Sequence, residues 1–265
     1  MRRTPQRAAF LAACLALVLV VPASVSASHS WGGYHWARTA NPFTLKLGDN
    51  VNSTWDSYLG TASSDWSLSS VLHTTVVAPT SVKRLCSAST GTVQVCNAKY
   101  GNTGWLGIAQ IWVNGVHITK GTVKVNDTYF STGSYNTPAW RQMVMCQEVG
   151  HTFGLDHQDE SFGNPDVLDQ FGAASCMDYT DDPSQNQHPN QHDFDQLVSI
   201  YGSHFDSTTT VAAAPAAGAA AAADEAADAA WGNLVVTTNG GHGAWYARDL
   251  GAGNAILTHV FWADR

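Results

Sequence analysis

The sequence predicts an α+β fold in which a mixed β-sheet precedes the main helices along the chain. Strand-like segments with alternating or β-branched residues occupy much of residues 43–125, and two helices follow at about 138–153 and 192–201. A short strand-rich segment closes the chain at 231–265. With 265 residues, the chain has room for one sizeable domain with an ample core and for smaller extensions.

The N-terminal 27 residues have the layout of a secretory signal peptide. Arg2, Arg3 and Arg7 form a basic start, residues 8–21 form an apolar run, and residues 25–27 form a small-residue cleavage site. The apolar run is shorter than the roughly 20 residues that a membrane-spanning helix needs. We therefore predict a secreted, extracellular protein from which residues 1–27 are removed.

The charge of the mature chain argues against anionic partners. Without the three leader arginines, ten basic residues remain against 21 acidic ones, a net charge near −11. Such a charge disfavours nucleic acid and anionic membrane surfaces. We expect no nucleic-acid partner, no membrane contact after signal removal, and a monomer.

Four cysteines remain after the leader: Cys86, Cys96, Cys146 and Cys176. An even number in an exported chain predicts two disulfides, for which three pairings exist. We favour Cys86–Cys96, which closes a short loop, and Cys146–Cys176, which ties the long helix to a downstream segment. None of the cysteines forms a C-x-x-C pair, so we do not expect them to bind zinc.

The first half of the chain alternates between predicted strands and one helix. Asn52, Ser53 and Thr54 can cap a helix that runs to about Asp65. Asn114-Gly115 is a strong hairpin signal, because asparagine and glycine tolerate the positive φ angles of tight turns. The predicted strands lie at 43–47, 70–78, 92–99, 106–113 and 117–125.

The next helix is well delimited by its sequence. Thr137 suits the N-cap and Pro138 the first helical position, while no other proline interrupts residues 139–153. Gly154 can end the helix in a left-handed conformation. Gly150 costs about 1 kcal/mol relative to alanine inside a helix, which indicates a packing role for it.

The composition changes sharply after about residue 205. Residues 206–230 form an alanine-rich linker, and 231–265 form a short β-rich extension with strand-like stretches at 234–236, 245–246 and 256–262. So short an extension is too small for an independent core. It is either docked on the main domain, predicted at 28–205, or a weakly folded appendage.

Residues 146–157 contain the candidate metal ligands and the candidate general base. Residues four apart on a helix lie on one face, so Gln147 and His151 point together, with Glu148 beside them. Gly154 then lets the chain bring His157 back toward the same point. Imidazole nitrogens and carboxylates are the ligands that zinc prefers. The pattern therefore predicts a zinc site with Glu148 as a general base.

With the downstream Met177 and Tyr179, this pattern resembles the metzincin metallopeptidases, which share the signature H-E-x-x-H-x-x-G-x-x-H and a Met-turn. The similarity spans roughly residues 34–205, and 192–202 is similar to the C-terminal helix of matrixin-like domains. The resemblance implies a twisted mixed sheet whose edge strand aligns a peptide substrate, with an active-site helix. It implies that Met177 passes beneath the metal and that Tyr179 stabilises the transition state.

The sequence departs from the family at Gln147, which stands where the signature has its first histidine. Gln147 can ligate zinc through its amide oxygen with His151 and His157, or Asp159 or Tyr179 can substitute for it. Alternatively, the site binds little metal. The predicted function is a secreted zinc metalloendopeptidase that hydrolyses peptide bonds through a metal-bound water. The alternative is a catalytically weakened or inactive metzincin-fold protein that acts as a secreted binding module. A calcium site is left open; its candidate ligands are Asp156, Asp159, Asp181 and Asp182.

Overall fold

The computed structural model describes residues 29–81, 84–131, 133–161, 163–210 and 231–264. The predicted signal peptide and most of the predicted linker lie outside these residues. Within the described ranges, no helix is long and apolar enough to cross a bilayer. The architecture is mixed α+β, with one large mixed sheet and few helices.

Nine strands of the described chain join in the sheet. Their bounds are β1 His35–Trp36, β2 Phe43–Asn50, β3 Leu72–Val77, β4 Thr92–Ala98, β5 Trp105–Asn114, β6 His117–Asn126, β7 Asn233–Thr238, β8 Gly243–Gly251 and β9 Asn254–Trp262. The helices are α1 Asp56–Trp66, α2 Asp127–Phe130, α3 Pro138–His151 and α4 Gln191–Tyr201, and a 3₁₀ turn covers Asn239–Gly241.

The sheet has a parallel half and an antiparallel half. Its strand order is β3-β2-β4-β6-β5-β9-β8-β7, and β1 also pairs with β6. Strands β1, β2, β3, β4 and β6 run parallel to their neighbours in that half. Strand β5 pairs antiparallel with β6 on one side and with β9 on the other. The C-terminal segment 231–264 therefore extends the main sheet instead of forming a separate unit.

Most predicted strands and helices are confirmed, with small shifts at their ends. Asn114 pairs with His117, so Gly115 and Val116 form the hairpin turn, one residue later than predicted. The predicted cap of α1 at 52–54 is wrong, because Asn52 instead closes a turn by accepting from the backbone nitrogens of Thr54 and Trp55. Helix α1 begins at Asp56 without a side-chain cap.

Both favoured disulfides are present. Cys86 is bonded to Cys96, and Cys146 to Cys176. The second bond joins α3 to the segment that carries Met177. Two disulfides fit an oxidising compartment.

One main hydrophobic core lies between the sheet and the helices. Its buried members come from both helices and strands, and they include Trp36, Trp66, Met143 and Val149. Leu257 and Phe261 of β9 pack in the same core. The C-terminal segment is thus part of the packing that holds the motif helix in place.

Candidate metal centre

Helix α3 positions the first motif residues. Thr137 caps it by accepting a hydrogen bond from the backbone nitrogen of Trp140, as predicted, and Pro138 follows at the helix start. Gln147, Glu148 and His151 lie in the last turns of the helix and are all completely buried. These polar side chains therefore face the protein interior rather than solvent.

The turn after α3 brings His157 back to His151. Gly154 adopts a φ of 91°, and a Cβ there would collide with the Tyr34 carbonyl oxygen, so glycine is needed for two reasons. The rings of His151 and His157 lie with centroids 4.6 Å apart. The predicted convergence of these two histidines is therefore seen in the structure.

Met177 lies against the motif helix. A Cβ on Gly150 would stand 2.6 Å from Met177 Sδ and 2.7 Å from Cζ2 of Trp66, closer than packed atoms approach. Glycine lowers helix stability, but it is required at position 150 because the Met177 sulfur and the Trp66 indole occupy the space that a side chain would need. This contact is the packing role that the sequence indicated for Gly150.

Gln147 uses its amide nitrogen to bind the segment that carries Met177. Its Nε2 donates to the Cys176 carbonyl at 2.9 Å. Its Oε1 is buried and has no hydrogen-bond partner among the described residues. The amide thus tethers α3 to the disulfide-linked segment, and ligation through Oε1 stays a prediction.

A third histidine, which the sequence analysis did not single out, joins the cluster from the C-terminal segment. His259 lies in β9, fully buried, with ring centroids 4.1 Å from His151 and 4.9 Å from His157. One ligand-type nitrogen from each of the three histidines lies within 4.8 Å of the other two. Cross-strand pairing places it there, because His259 stands opposite Ala109 of β5.

Among the described residues, Nε2 of His151 and Nε2 of His157 have no hydrogen-bond partner and are free for a metal. His151 Nδ1 donates to the Leu155 carbonyl at 2.9 Å, so Nε2 carries the lone pair, and it has no hydrogen-bond partner. His157 Nδ1 lies 3.3 Å from the Asp156 carboxylate, while its Nε2 is likewise buried and unpartnered. Metal-binding histidines are commonly oriented in this way through their second nitrogen.

Burial favours the neutral form of His151 and His259. Desolvation, followed by the neighbouring His157, lowers the pKa of His151 to about 3. Desolvation and the other two histidines lower the pKa of His259 well below its usual value. Neutral imidazole is the form that binds metal. The unpartnered ring nitrogens of His151 and His157, together with His259, make a buried donor set that fits a divalent cation such as zinc, copper, iron or nickel.

Glu148 and Tyr179 both contact His259. Glu148 Oε2 lies 3.3 Å from His259 Nδ1, and Oε1 has no hydrogen-bond partner in the described chain. Tyr179 Oη lies 3.1 Å from His259 Nε2, and its ring stacks on His157 at 4.0 Å. Burial raises the pKa of Glu148 and of Tyr179 well above their usual values. An acid and a phenol therefore flank the three imidazoles.

The C-terminal segment closes this cluster. Trp245 of β8 packs edge-on against His151, with ring centroids 5.0 Å apart, and tilted against His259 at 4.5 Å, and it contacts Trp31 at 3.9 Å. Strand β9 pairs with β5 along its whole length. As folded, no peptide can lie along that edge of β5 or reach Glu148.

The acidic residues predicted as metal candidates differ in whether they lie near the three histidines. Asp159 accepts from the Ser161 backbone and from the Asn164 side chain, so its carboxylate closes a local turn. Asp156 groups with His157 and Glu160 as possible donors. Within the described residues, Asp159, Asp181 and Asp182 belong to no such group. Calcium binding stays an open prediction.

Comparison with known proteins adds little to this geometry. No protein-family model matches the chain, and no curated protein is similar to it. Among solved structures, the chain is similar to one described as "Structure of myroilysin", at 12% identity and a TM-score of 0.36. The superposition covers 66% of this chain and 99% of that chain. A superposition this loose carries no argument about activity, so the function is argued from the side chains.

The sequence contained part of the signal for His259. The alternation at 256–262 predicted a strand, and the missing first histidine of the motif called for another ligand. What it lacked was the pairing partner, because a strand pattern shows which residues share a face but not which strand lies beside it.

Proposed function

We propose that this protein is a secreted zinc-dependent metalloendopeptidase whose C-terminal segment 231–264 holds it in a closed, latent form. His151, His157 and His259 would hold the zinc in that form. The observation that carries the proposal is the convergence of three buried imidazoles with Glu148 and Tyr179. A structural zinc site has no chemical need for a carboxyl group beside its ligands, whereas peptide hydrolysis needs one.

The chain's own groups would perform the following roles. When bound, zinc supplies a Lewis acid that makes water nucleophilic near neutral pH. Glu148 would accept a proton at Oε1, the oxygen that has no partner, and pass it to the leaving nitrogen. Tyr179 would donate its hydroxyl proton in a hydrogen bond to the developing oxyanion. Met177 would support the site from beneath, packed against Gly150.

The burial of the site is the reason to expect that the full chain is latent. A catalytic zinc site must leave room for substrate, but Glu148, His151 and His259 are completely buried. A peptide could pair with β5 only after β9 leaves it. His259 would leave with β9, and the unpartnered Oε1 of Gln147 would then be the nearest replacement ligand on α3.

Cutting the chain within residues 211–230 tests this proposal. The secreted chain should contain zinc and show no peptidase activity on casein, and activity should appear after the linker is cut and the C-terminal segment is separated. Glu148→Gln should bind zinc equally and remain inactive after the same cut. Full activity of the uncut chain would refute the latency, and a chain without zinc would refute the proposal.

The second candidate is a non-catalytic secreted binding module with a closed metal site. The complete burial of the site favours it, because a structural site has all its positions filled by protein. In the same experiment, zinc binding without activity before or after the cut would support this candidate instead.

A further inference from the structure

A second cluster of ligand-type side chains lies where β1, the start of β6 and the chain after α4 meet. It contains His35, His117, His204 and Asp206, none of which belongs to the centre on α3. One donor atom each from His35, His117 and Asp206 lies within 4.8 Å of the other two. His204 adds a fourth donor, with Nε2 3.2 Å from His35 Nε2.

Backbone pairing assembles this cluster. Strand β1 runs parallel to β6 with His35 opposite His117, and their ring centroids lie 4.9 Å apart. The backbone nitrogen of Asp206 donates to the Arg38 carbonyl at 2.8 Å, which places the chain after α4 beside β1. The ring of His204 therefore lies 4.9 Å from that of His35. Three separate segments deliver the four side chains.

The donor atoms have the spacing of metal ligands. His35 Nδ1 donates to the Gly33 carbonyl at 2.9 Å, so its Nε2 offers a lone pair toward His204 Nε2. His117 Nε2 lies 2.9 Å from Asp206 Oδ1. Zinc–nitrogen bonds of about 2.0–2.1 Å in a tetrahedron place ligand atoms roughly 3.3 Å apart. Both measured separations are close to that value.

The charges also suit a divalent cation. Arg38 binds the other oxygen of Asp206, with its backbone nitrogen at 3.1 Å and Nη1 at 3.4 Å, and so orients Oδ1 toward His117. Burial raises the pKa of Asp206, but hydrogen bonds from Arg38 and His117 outweigh this and lower it. Desolvation lowers the pKa of His35. Asp206 Oδ1 therefore lies beside the His117 imidazole while Arg38 holds its other oxygen.

We propose that His35, His117, His204 and Asp206 form a second, structural zinc site. The metal would join β1, β6 and the end of α4 at one point. Its neighbours support the turn that follows His151, because Trp36 Nε1 donates to the Thr152 carbonyl at 2.8 Å and Tyr201 Oη to the Phe153 carbonyl at 2.7 Å. The second site would thus stabilise the frame around Gly154.

Zinc content of dialysed single variants of the full secreted chain tests the proposal. The unaltered chain should retain two equivalents, while His117→Ala and His204→Ala should each retain one. His73→Ala is the matched control, since His73 is an exposed strand histidine outside both clusters, and it should retain two. If His117→Ala and His204→Ala keep the zinc content of the unaltered chain, the proposal is wrong.

The outcome is separable from that of the peptidase proposal. His157→Ala removes a ligand of the first site only. The one zinc equivalent that this variant retains should then be lost when His117 or His204 is also replaced by alanine.

Histidine footprinting with diethylpyrocarbonate tests the second site without any variant. In the unaltered chain, zinc should abolish the reactivity of His204 and His117 and leave that of His73 unchanged. Equal reactivity with zinc and with a chelator would overturn the second site.

Discussion

The motif region 138–157 and the C-terminal segment 231–264 supply the same imidazole cluster, but they do so by different means. A helix and a glycine turn position His151 and His157, so their spacing along the chain already indicates a shared site. His259 reaches the cluster only because β9 pairs with β5. The difference teaches that sheet pairing can bring to a local motif a histidine that the motif's own spacing does not reveal.

The largest expected effect concerns how firmly the C-terminal segment belongs to the fold. Trp245→Ala should lower the free energy of unfolding by about 3–5 kcal/mol, the range for replacing a buried large aromatic side chain with alanine. Chemical denaturation measures the change. Leu250→Ala is the control in the same strand, and its exposed side chain should matter little.

If Trp245→Ala destabilises the protein no more than Leu250→Ala does, the C-terminal segment is not an integral part of the fold. The segment would then be a loosely attached appendage, and His259 would be an unreliable metal ligand.

The sequence predicted most elements of the fold because their signals are local. The cap at Thr137, the Asn114-Gly115 hairpin and the strand patterns are all recognised within a few residues. The start of α1 was mistaken because Asn52 uses its side chain and carbonyl in a turn, a competing role for the same residue type.

The candidate site was predictable only in part, for the same reason. Glu148, His151, His157, Met177 and Tyr179 were found because one helix and one disulfide-linked turn hold them. His259 and Trp245 were missed because their positions depend on the β5–β9 pairing. The orientation of Gln147 was also hidden, because its hydrogen bond goes to a carbonyl of the segment after α3.

The next largest effect is expected when each of the two disulfides is removed. Replacing Cys146 and Cys176 with alanine opens a loop with a sequence separation of 30 residues, against 10 for Cys86 and Cys96. Loop entropy predicts that the free energy of unfolding falls by about 3–4 kcal/mol without Cys146–Cys176 and by about 2–3 kcal/mol without Cys86–Cys96. The first pair should also weaken zinc binding, since it ties α3 to the Met177 segment, and the second should not.

Thermal unfolding and zinc titration of the two double variants measure these effects. Equal zinc affinity in both would show that the Cys146–Cys176 bond holds only the fold and not the metal site.

The smallest effect concerns the packing of the motif helix α3 at Gly150. Gly150→Ala should destabilise the protein by about 1–3 kcal/mol, because the added methyl would meet Met177 Sδ and Trp66. Gly60→Ala in α1 is the matched control, since a Cβ there has nothing within 4 Å. That variant should gain up to about 1 kcal/mol from helix propensity. Urea denaturation of both variants would reveal the opposite signs, and a stabilising Gly150→Ala would contradict the packing described.

The central claim is that His259, and not Gln147, completes the metal site of the full chain. Zinc titration of His259→Ala, Gln147→Ala and His242→Ala tests it most directly, with His242 as the other histidine of the C-terminal segment. Since loss of a supporting partner alone costs 10–100-fold, we expect His259→Ala to lose more than about a hundredfold in zinc affinity at this site. We expect Gln147→Ala to lose less than about tenfold and His242→Ala to match the unaltered chain. A large loss with Gln147→Ala and none with His259→Ala would contradict the account.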